Sequence, residues 1–382
     1  MRWQPGLAAA LLGAAVILGD GLGRALACAI CLSAVSVTTG QKLDAADQIA
    51  LASEASDGER FELAQAVKGA PVIGTVVEAS SDHDHAHTVP GQTEALYLLA
   101  RNGLSGNWTN FGKTGVENAA WLREFANTND GLVTAASPSA LPATNNVQAA
   151  PDNTNWRQRL FLIGPYLQSQ DSLAAEIAFE ELARAPYESV RWLKPMLDAG
   201  KIRAWLDDPA LSPLQGPYFL LLGVAGGSED AAMLEGLLAK ARTSHDATHL
   251  AAMLAAYLEL SGPSRVEWIT ENYLTDRSRS LPELEATLLA FYAHGRAGGV
   301  ISRQQVVDAY RTFIRERQPM AGFVAPYLAE WKAWDAVPDY IQVLQSKTVK
   351  DPAGQFAILA YLRNSPDGAA QSAAAAFIAK AH

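Results

Sequence analysis

The stretch Ala174–Asp208, AAEIAFEELARAPYESVRWLKPMLDAGKIRAWLDD, constrains the fold more than any other part of the chain. Its apolar residues Ile177, Leu182, Val190, Leu193, Leu197, Ile202 and Leu206 recur three to five apart within each segment. That is the spacing of one buried helical face and not the alternation of a strand. Pro186 and Gly200 mark breaks, because proline lacks the amide a helix interior needs and glycine tolerates the left-handed geometry of a helix end. The unit is therefore helix, short turn, helix. The same texture runs from Trp156 to the end of the chain, with predicted helices such as Tyr187–Ala199, Ala247–Leu260, Arg265–Leu274 and Gly322–Trp331 broken at Gly-Pro, Asp-Pro, Gly-Gly and Ser-Pro pairs. Similar segments begin near Ser172, Pro213, Ala247, Glu283, Ala321 and Ala353, about 30 to 40 residues apart, as in helical-pair repeats. Repeats of this kind stack into a curved solenoid, here residues 156–382, in which each pair buries its face against its neighbours.

Residues 28–126 read differently. Asp47–Ser53, Arg60–Val67, Val72–Glu78 and Glu94–Ala100 are short apolar or alternating runs separated by Asp-Gly, Gly-Ala-Pro and Asn-Gly, which is strand-and-turn punctuation. A small β barrel or curled sheet follows, closed by a helix over Val116–Ala126. Residues 127–155, rich in Asn, Thr, Ser, Pro and Ala, read as a linker. The fold class expected is α+β, mainly α, and the length of 382 residues fits two domains.

Residues 1–27 read as a secretory signal: Arg2 supplies the positive start, Leu7–Leu18 the apolar core, and Ala25-Leu26-Ala27 the small residues of a cleavage site. The apolar run is too short to span a bilayer, which takes about 20 residues. Cleavage leaves Cys28 first and points to the periplasm or the medium. A lipid anchor at Cys28 is the alternative, although Ala25-Leu26-Ala27-Cys28 lacks the leucine that usually opens a lipobox. Loss of Arg2, Arg24 and Asp20 takes the formal charge from −10 to −11. With that sign and no basic cluster, the chain is a poor partner for phosphate backbones, so nucleic acid is excluded as a partner class.

Three groups carry candidate chemistry. Cys28 and Cys31 are the only cysteines; in an oxidising compartment they suit a disulfide, and otherwise a redox pair or a thiolate site for a soft ion such as Cu(I). Leu32 stands where a c-type haem motif needs histidine. His83, His85 and His87 alternate with Asp82 and Asp84, a pattern that suits copper or zinc, or else a polar hairpin tip. His245 and His249, four apart, fit one face of a helix and a zinc ion, or serve as helix-start and surface residues; the glutamate of a His-Glu-x-x-His protease is missing. The tryptophans and tyrosines, among them Trp192, Trp205, Tyr187, Tyr218 and Tyr257, fall between leucines and read mostly as core. The acidic residues read as scattered over solvated faces, and neither a nucleophile elbow nor a phosphate loop occurs.

The run FEELARAPYESVRWLKPMLDAGKIRAWLDDPALSPLQGPYFLLLGVAGGSEDAAMLEGLL, with VISRQQVVDAYR and LAEWKAWDAVPDYIQVL, resembles a planctomycete-type family of exported bacterial proteins. That resemblance implies an N-terminal Cys-x-x-Cys, a small β domain and HEAT-like helical repeats, and it brings no activity with it. More remotely, the N-terminal half resembles the netrin-type module, the OB-like barrel of the tissue inhibitors of metalloproteinases. Those begin Cys-x-Cys and carry several disulfides, whereas here Cys28-Ala29-Ile30-Cys31 stands alone. The function expected is an exported, non-enzymatic binding or scaffold protein whose helical surface holds a protein or envelope component. The alternatives are a periplasmic copper- or zinc-binding protein and a thiol–disulfide protein.

Overall fold

The computed structural model describes residues 37–82, 95–103, 105–128, 155–296 and 299–381. The first part of the chain runs α1 (Thr39–Ala45), β1 (Gln48–Glu54), β2 (Phe61–Lys68), β3 (Val76–Val77), β4 (Ala79–Ser81), β5 (Ala95–Arg101), β6 (Trp108–Gly115) and α2 (Ala119–Asn127). The six strands form one sheet in the order β3-β2-β1-β5-β6-β4. β3 pairs antiparallel with β2 at one end, and β4 pairs parallel with β6 at the other. Only Glu78 separates β3 from β4, so the two ends of the sheet meet within a single residue and the sheet must curl round on itself. Register shifts in the β1–β2 and β5–β6 ladders supply the bend.

Strand alternation then sorts the side chains into two cores. Ala50, Ala52, Leu63, Leu99 and Trp108 fill the inside of the curl, covered by Val77 and Ala79 from the run that joins its ends. Ile49, Leu51, Leu98 and Phe111 point outward onto α1, α2 and the helices beyond. β1 is consequently buried on both faces.

The second part is helical: α3 (Trp156–Ile163), α4 (Ser172–Arg184), α5 (Tyr187–Val190), α6 (Ala199–Asp207), α7 (Gln215–Ala225), α8 (Ser228–Ser244), α9 (Leu250–Ser261), α10 (Val266–Ile269), α11 (Leu281–Gly295), α12 (Arg303–Glu316), α13 (Ala325–Glu330), α14 (Val337–Ser346), α15 (Pro352–Asn364) and α16 (Gly368–Ala381). Neighbouring helices pack in succession, α7 and α11 on α9, α12 on α11, α14 on α12 and α16 on α14 and α15. α9 is apolar on every side, and each residue from Leu250 to Leu258 is buried, as expected of a helix enclosed by others. One core runs without a break from Leu43, Ile49 and Phe125 through Leu160 and Ile177 to Ile358 and Tyr361. The α+β, mainly α class holds.

Several sequence expectations are corrected locally. Tyr187–Ala199 is not one helix: after α5 the chain tightens into a 3₁₀ segment, Arg191–Met196, containing Pro195, whose ring cannot sit in an α-helical interior. Arg265–Leu274 is a short α-helix followed by a π-helical segment, Thr270–Thr275. Gly322–Trp331 is mostly 3₁₀ up to Val324, because Pro326 starts α13 late. The strand over Val72–Glu78 shrinks to β3, with Val72 72% exposed at the turn before it. Residues 129–154, most of the expected linker, lie outside the described residues.

Candidate functional site

The sheet unit is fastened to the helical array by charge. Arg159 of α3 is fully buried; its Nη1 donates to Asp44 Oδ1 at 2.9 Å and its Nε to Glu181. Arg184, one turn beyond Glu181 on α4, donates from Nε to Glu181 Oε1 at 2.7 Å and lies 3.5 Å from Asp44 Oδ2. Two guanidiniums and two carboxylates thus cancel inside the core, and the Arg159 plane rests 4.0 Å above the Phe125 ring of α2. The cluster needs Gly40: a Cβ there would stand 2.1 Å from Glu181 Oε1. Burial opposes the charge on Glu181, but Arg184 and Arg159 outweigh it and hold the carboxyl below its usual range. Asp44 goes the other way, raised because burial outweighs its arginine partners.

Two further fasteners flank this cluster. Asp171 caps α4 through Ala174 N and accepts from Thr114 Oγ1, Gly115 N and Asn118 Nδ2 at 2.8 to 2.9 Å, tying the end of β6 to the helices. Glu180 accepts from Thr39 N at 2.7 Å, and burial pushes its carboxyl up to about 7. Asp44, Asp171 and Glu181 are therefore buried and bonded, not on solvated faces. Their legible signal was Ile177, Glu181 and Arg184 at positions i, i+4 and i+7, charges on the apolar face of a helix.

A second buried polar group sits where α5, α9 and α11 meet. His294 is fully buried; its Nε2 donates to Ala255 O at 2.9 Å, while Nδ1 has no hydrogen-bond partner and lies 3.8 Å from Glu259 Oε2. Glu259 is held by a bidentate pair with Arg191, at 2.8 and 2.7 Å. Burial pushes the His294 imidazole down to about 4, so it is neutral at physiological pH.

Of the sequence-derived candidates, Cys28, Cys31, His83, His85 and His87 lie outside the described residues. His245 and His249 do not share a helix face. α9 starts only at Leu250, and both histidines occupy the α8–α9 connection with left-handed backbones, φ 54° and 55°. His245 Nδ1 lies 3.1 Å from Glu283 Oε2, a carboxylate already engaged by Arg279 and Ser280, while His249 faces the Phe219 ring. No group of three His, Cys, Asp or Glu residues suited to a metal ion occurs among the described residues. Most of the tryptophans and tyrosines are core as expected, Tyr187, Tyr218 and Tyr257 at no more than 2% exposure, whereas Trp192 is 42% exposed.

A concavity lies at the far end of the array, a cavity of about 500 Å³ between α14, the loop 347–351, α15 and α16. Ile341, Leu344, Val349 and Phe377 give it apolar walls, and Lys347 and Lys350 stand on its rim. Lys347 ends α14 in the left-handed region, φ 55°, and Gln355 Nε2 pins the loop by donating to Val349 O at 2.9 Å. No helix among the described residues is long and apolar enough to cross a membrane. Comparison with known protein families, with curated proteins and with solved structures gives no match.

Proposed function

We propose that this chain is an exported, non-enzymatic binding protein that presents a helical surface to a protein or envelope component. The reading takes the helical part as a HEAT-like solenoid and the sheet unit as an OB-like barrel. The observation that carries it is the reach of the side-chain bonds. With both partners beyond Ser228, the long-range ones join residues 19 to 43 positions apart, as in Tyr273 to Leu238 O, Tyr292 to Glu330 and Arg317 to Leu274 O. Beyond Ser228, bonds of that reach tie successive helical pairs together as in a stacked array with open faces, while Arg191 to Glu259, 68 positions apart, and the packing of α5 on α11 lock its first helices more widely. The barrel reading rests on Val76–Ser81, which pairs with β2 and with β6 and so completes a circuit of five strands.

Export rests on the signal-like residues 1–27 and predicts a mature chain that begins at Cys28 in periplasmic or secreted fractions. Full chain purified from its own cell envelope should retain one stoichiometric partner, and removal of residues 156–382 should abolish it. Absence of any partner, together with insulin reduction that is lost in Cys31→Ser, would replace this reading with the thiol–disulfide one. Metal analysis of the same preparation decides whether Cys28, Cys31, His83, His85 and His87 hold copper or zinc.

A further inference from the structure

We propose that the cavity between α14, α15 and α16 binds a single-chain amphiphilic anion, an alkyl tail with a carboxylate or phosphate head. Its volume of about 500 Å³ falls within the 300–1,000 Å³ typical of small-ligand sites. The walls divide by chemistry. Ile341, Leu344, Val349 and Phe377 offer a tail nothing to hydrogen-bond, and a buried alkyl chain gains by leaving water. The rim carries two cations and no carboxylate: Lys347 and Lys350 make no ion pair among the described residues, and Asp351 beside them caps α15 through Gly354 N. Two uncommitted lysines at one apolar opening stand out on a chain of formal charge −10. A neutral lipid would leave both lysines idle, and a bare anion would leave the walls idle; one ligand class uses both.

The left-handed backbone at Lys347 sharpens this. Glycine is the residue that position favours, and a lysine there puts its ammonium on the rim against that preference. Lys347→Gly therefore removes the charge while relieving the backbone, so a loss of binding in that variant cannot come from a damaged fold. The proposal stands apart from the partner reading, since a ligand in this cavity is compatible with a chain that holds no protein at all.

Calorimetric titration of the full chain with dodecanoate and dodecyl phosphate, each below its micelle concentration, tests it. Saturable binding of one equivalent of at least one of them is expected, the better ligand identifying the head group. Affinity should rise about fourfold per added methylene from the eight-carbon homologue upward. Acetate and inorganic phosphate should not bind. Lys347→Gly with Lys350→Gln should weaken binding about tenfold, and Ala376→Trp, at an exposed position of the wall, should abolish it with unchanged circular dichroism. Dodecanol binding as tightly as dodecanoate, binding that survives Ala376→Trp, or no saturable binding of either amphiphile would overturn the proposal.

Discussion

The junction between the sheet and the helices buries one interlocked set of four charges, whereas the array beyond it buries scattered ion pairs such as Arg279–Glu283 and Arg311–Asp339 together with neutral hydroxyls that reach back to neighbouring carbonyls. At the junction Arg159, Glu181, Asp44 and Arg184 form one interlocked set. In the array the fully buried Tyr310, Tyr340 and Tyr361 donate to Leu288 O, Ala321 O and Ala333 O. Burial lifts the Tyr310 and Tyr340 phenols well above their ordinary range, so they act as neutral donors at any pH of interest. The difference follows from what each region must specify. In the array each helix packs on its neighbours in succession, and a single donor or ion pair reaching to the next helix suffices. The sheet docks once, in one orientation, and a charge cluster tolerates only the arrangement that pairs every member.

The largest effect should therefore fall at the junction. Arg159→Met leaves Glu181 and Asp44 buried beside a single guanidinium and should cost about 3 to 5 kcal/mol in urea unfolding. Adding Glu181→Leu to it should recover part of that loss, because the orphaned charge disappears; no recovery would mean that the cluster acts through packing alone.

Next come two pH effects that oppose each other. The His294 imidazole is lowered to about 4 in the fold from about 6.5, so its neutral burial stabilises above pH 6.5, and this is lost as the pH falls toward 4. The Glu180 carboxyl is raised to about 7 from 4.5, so its contribution is complete below pH 4.5 and is lost as the pH rises to 7. Between pH 4.5 and 6.5 the two slopes, each at most about 1.4 kcal/mol per pH unit, run in opposite directions and largely cancel. The parent chain should show a flat profile there. His294→Gln should become less stable with rising pH, and Glu180→Gln more stable. Identical profiles for all three would remove the pH account of both regions.

Smaller still, Tyr310→Phe and Tyr340→Phe should each cost about 1 kcal/mol, the net loss of one buried hydrogen bond. At the bottom of the scale, Arg60→Ala at the exposed Arg60–Asp57 pair should change stability by less than about 0.5 kcal/mol. A tyrosine variant that costs as much as Arg159→Met would erase the contrast between the regions.

The helical part was legible because its apolar spacing is long and regular, and α9 or α12 could hardly be anything else. What misled were the places where one residue type overrides the period. Pro195 turned the end of a helix into 3₁₀, and the left-handed His249 lies in a connection although the predicted helix Ala247–Leu260 included it. β6 escaped because its buried residues Trp108, Phe111 and Thr114 fall every third position, a consequence of the irregular pairing between Tyr97 and Leu99. α1 escaped because TGQKLDA has one large apolar residue; its signal was the capping box of Thr38 and Gln41. The junction cluster joins residues more than 100 positions apart, Asp44 and Arg159, and no local pattern announces such a pairing. The cavity likewise depends on how α16 seats against α14.

Sheet and array form one body through this cluster, and hydrogen exchange tests this most directly. In the parent chain, amides of β1 and of α4 should open together with the same free energy. Arg159→Met should accelerate both by a common factor and leave α15 unchanged. If β1 exchanges faster in the variant while α4 keeps its protection, the sheet is an independent unit and the claim is wrong.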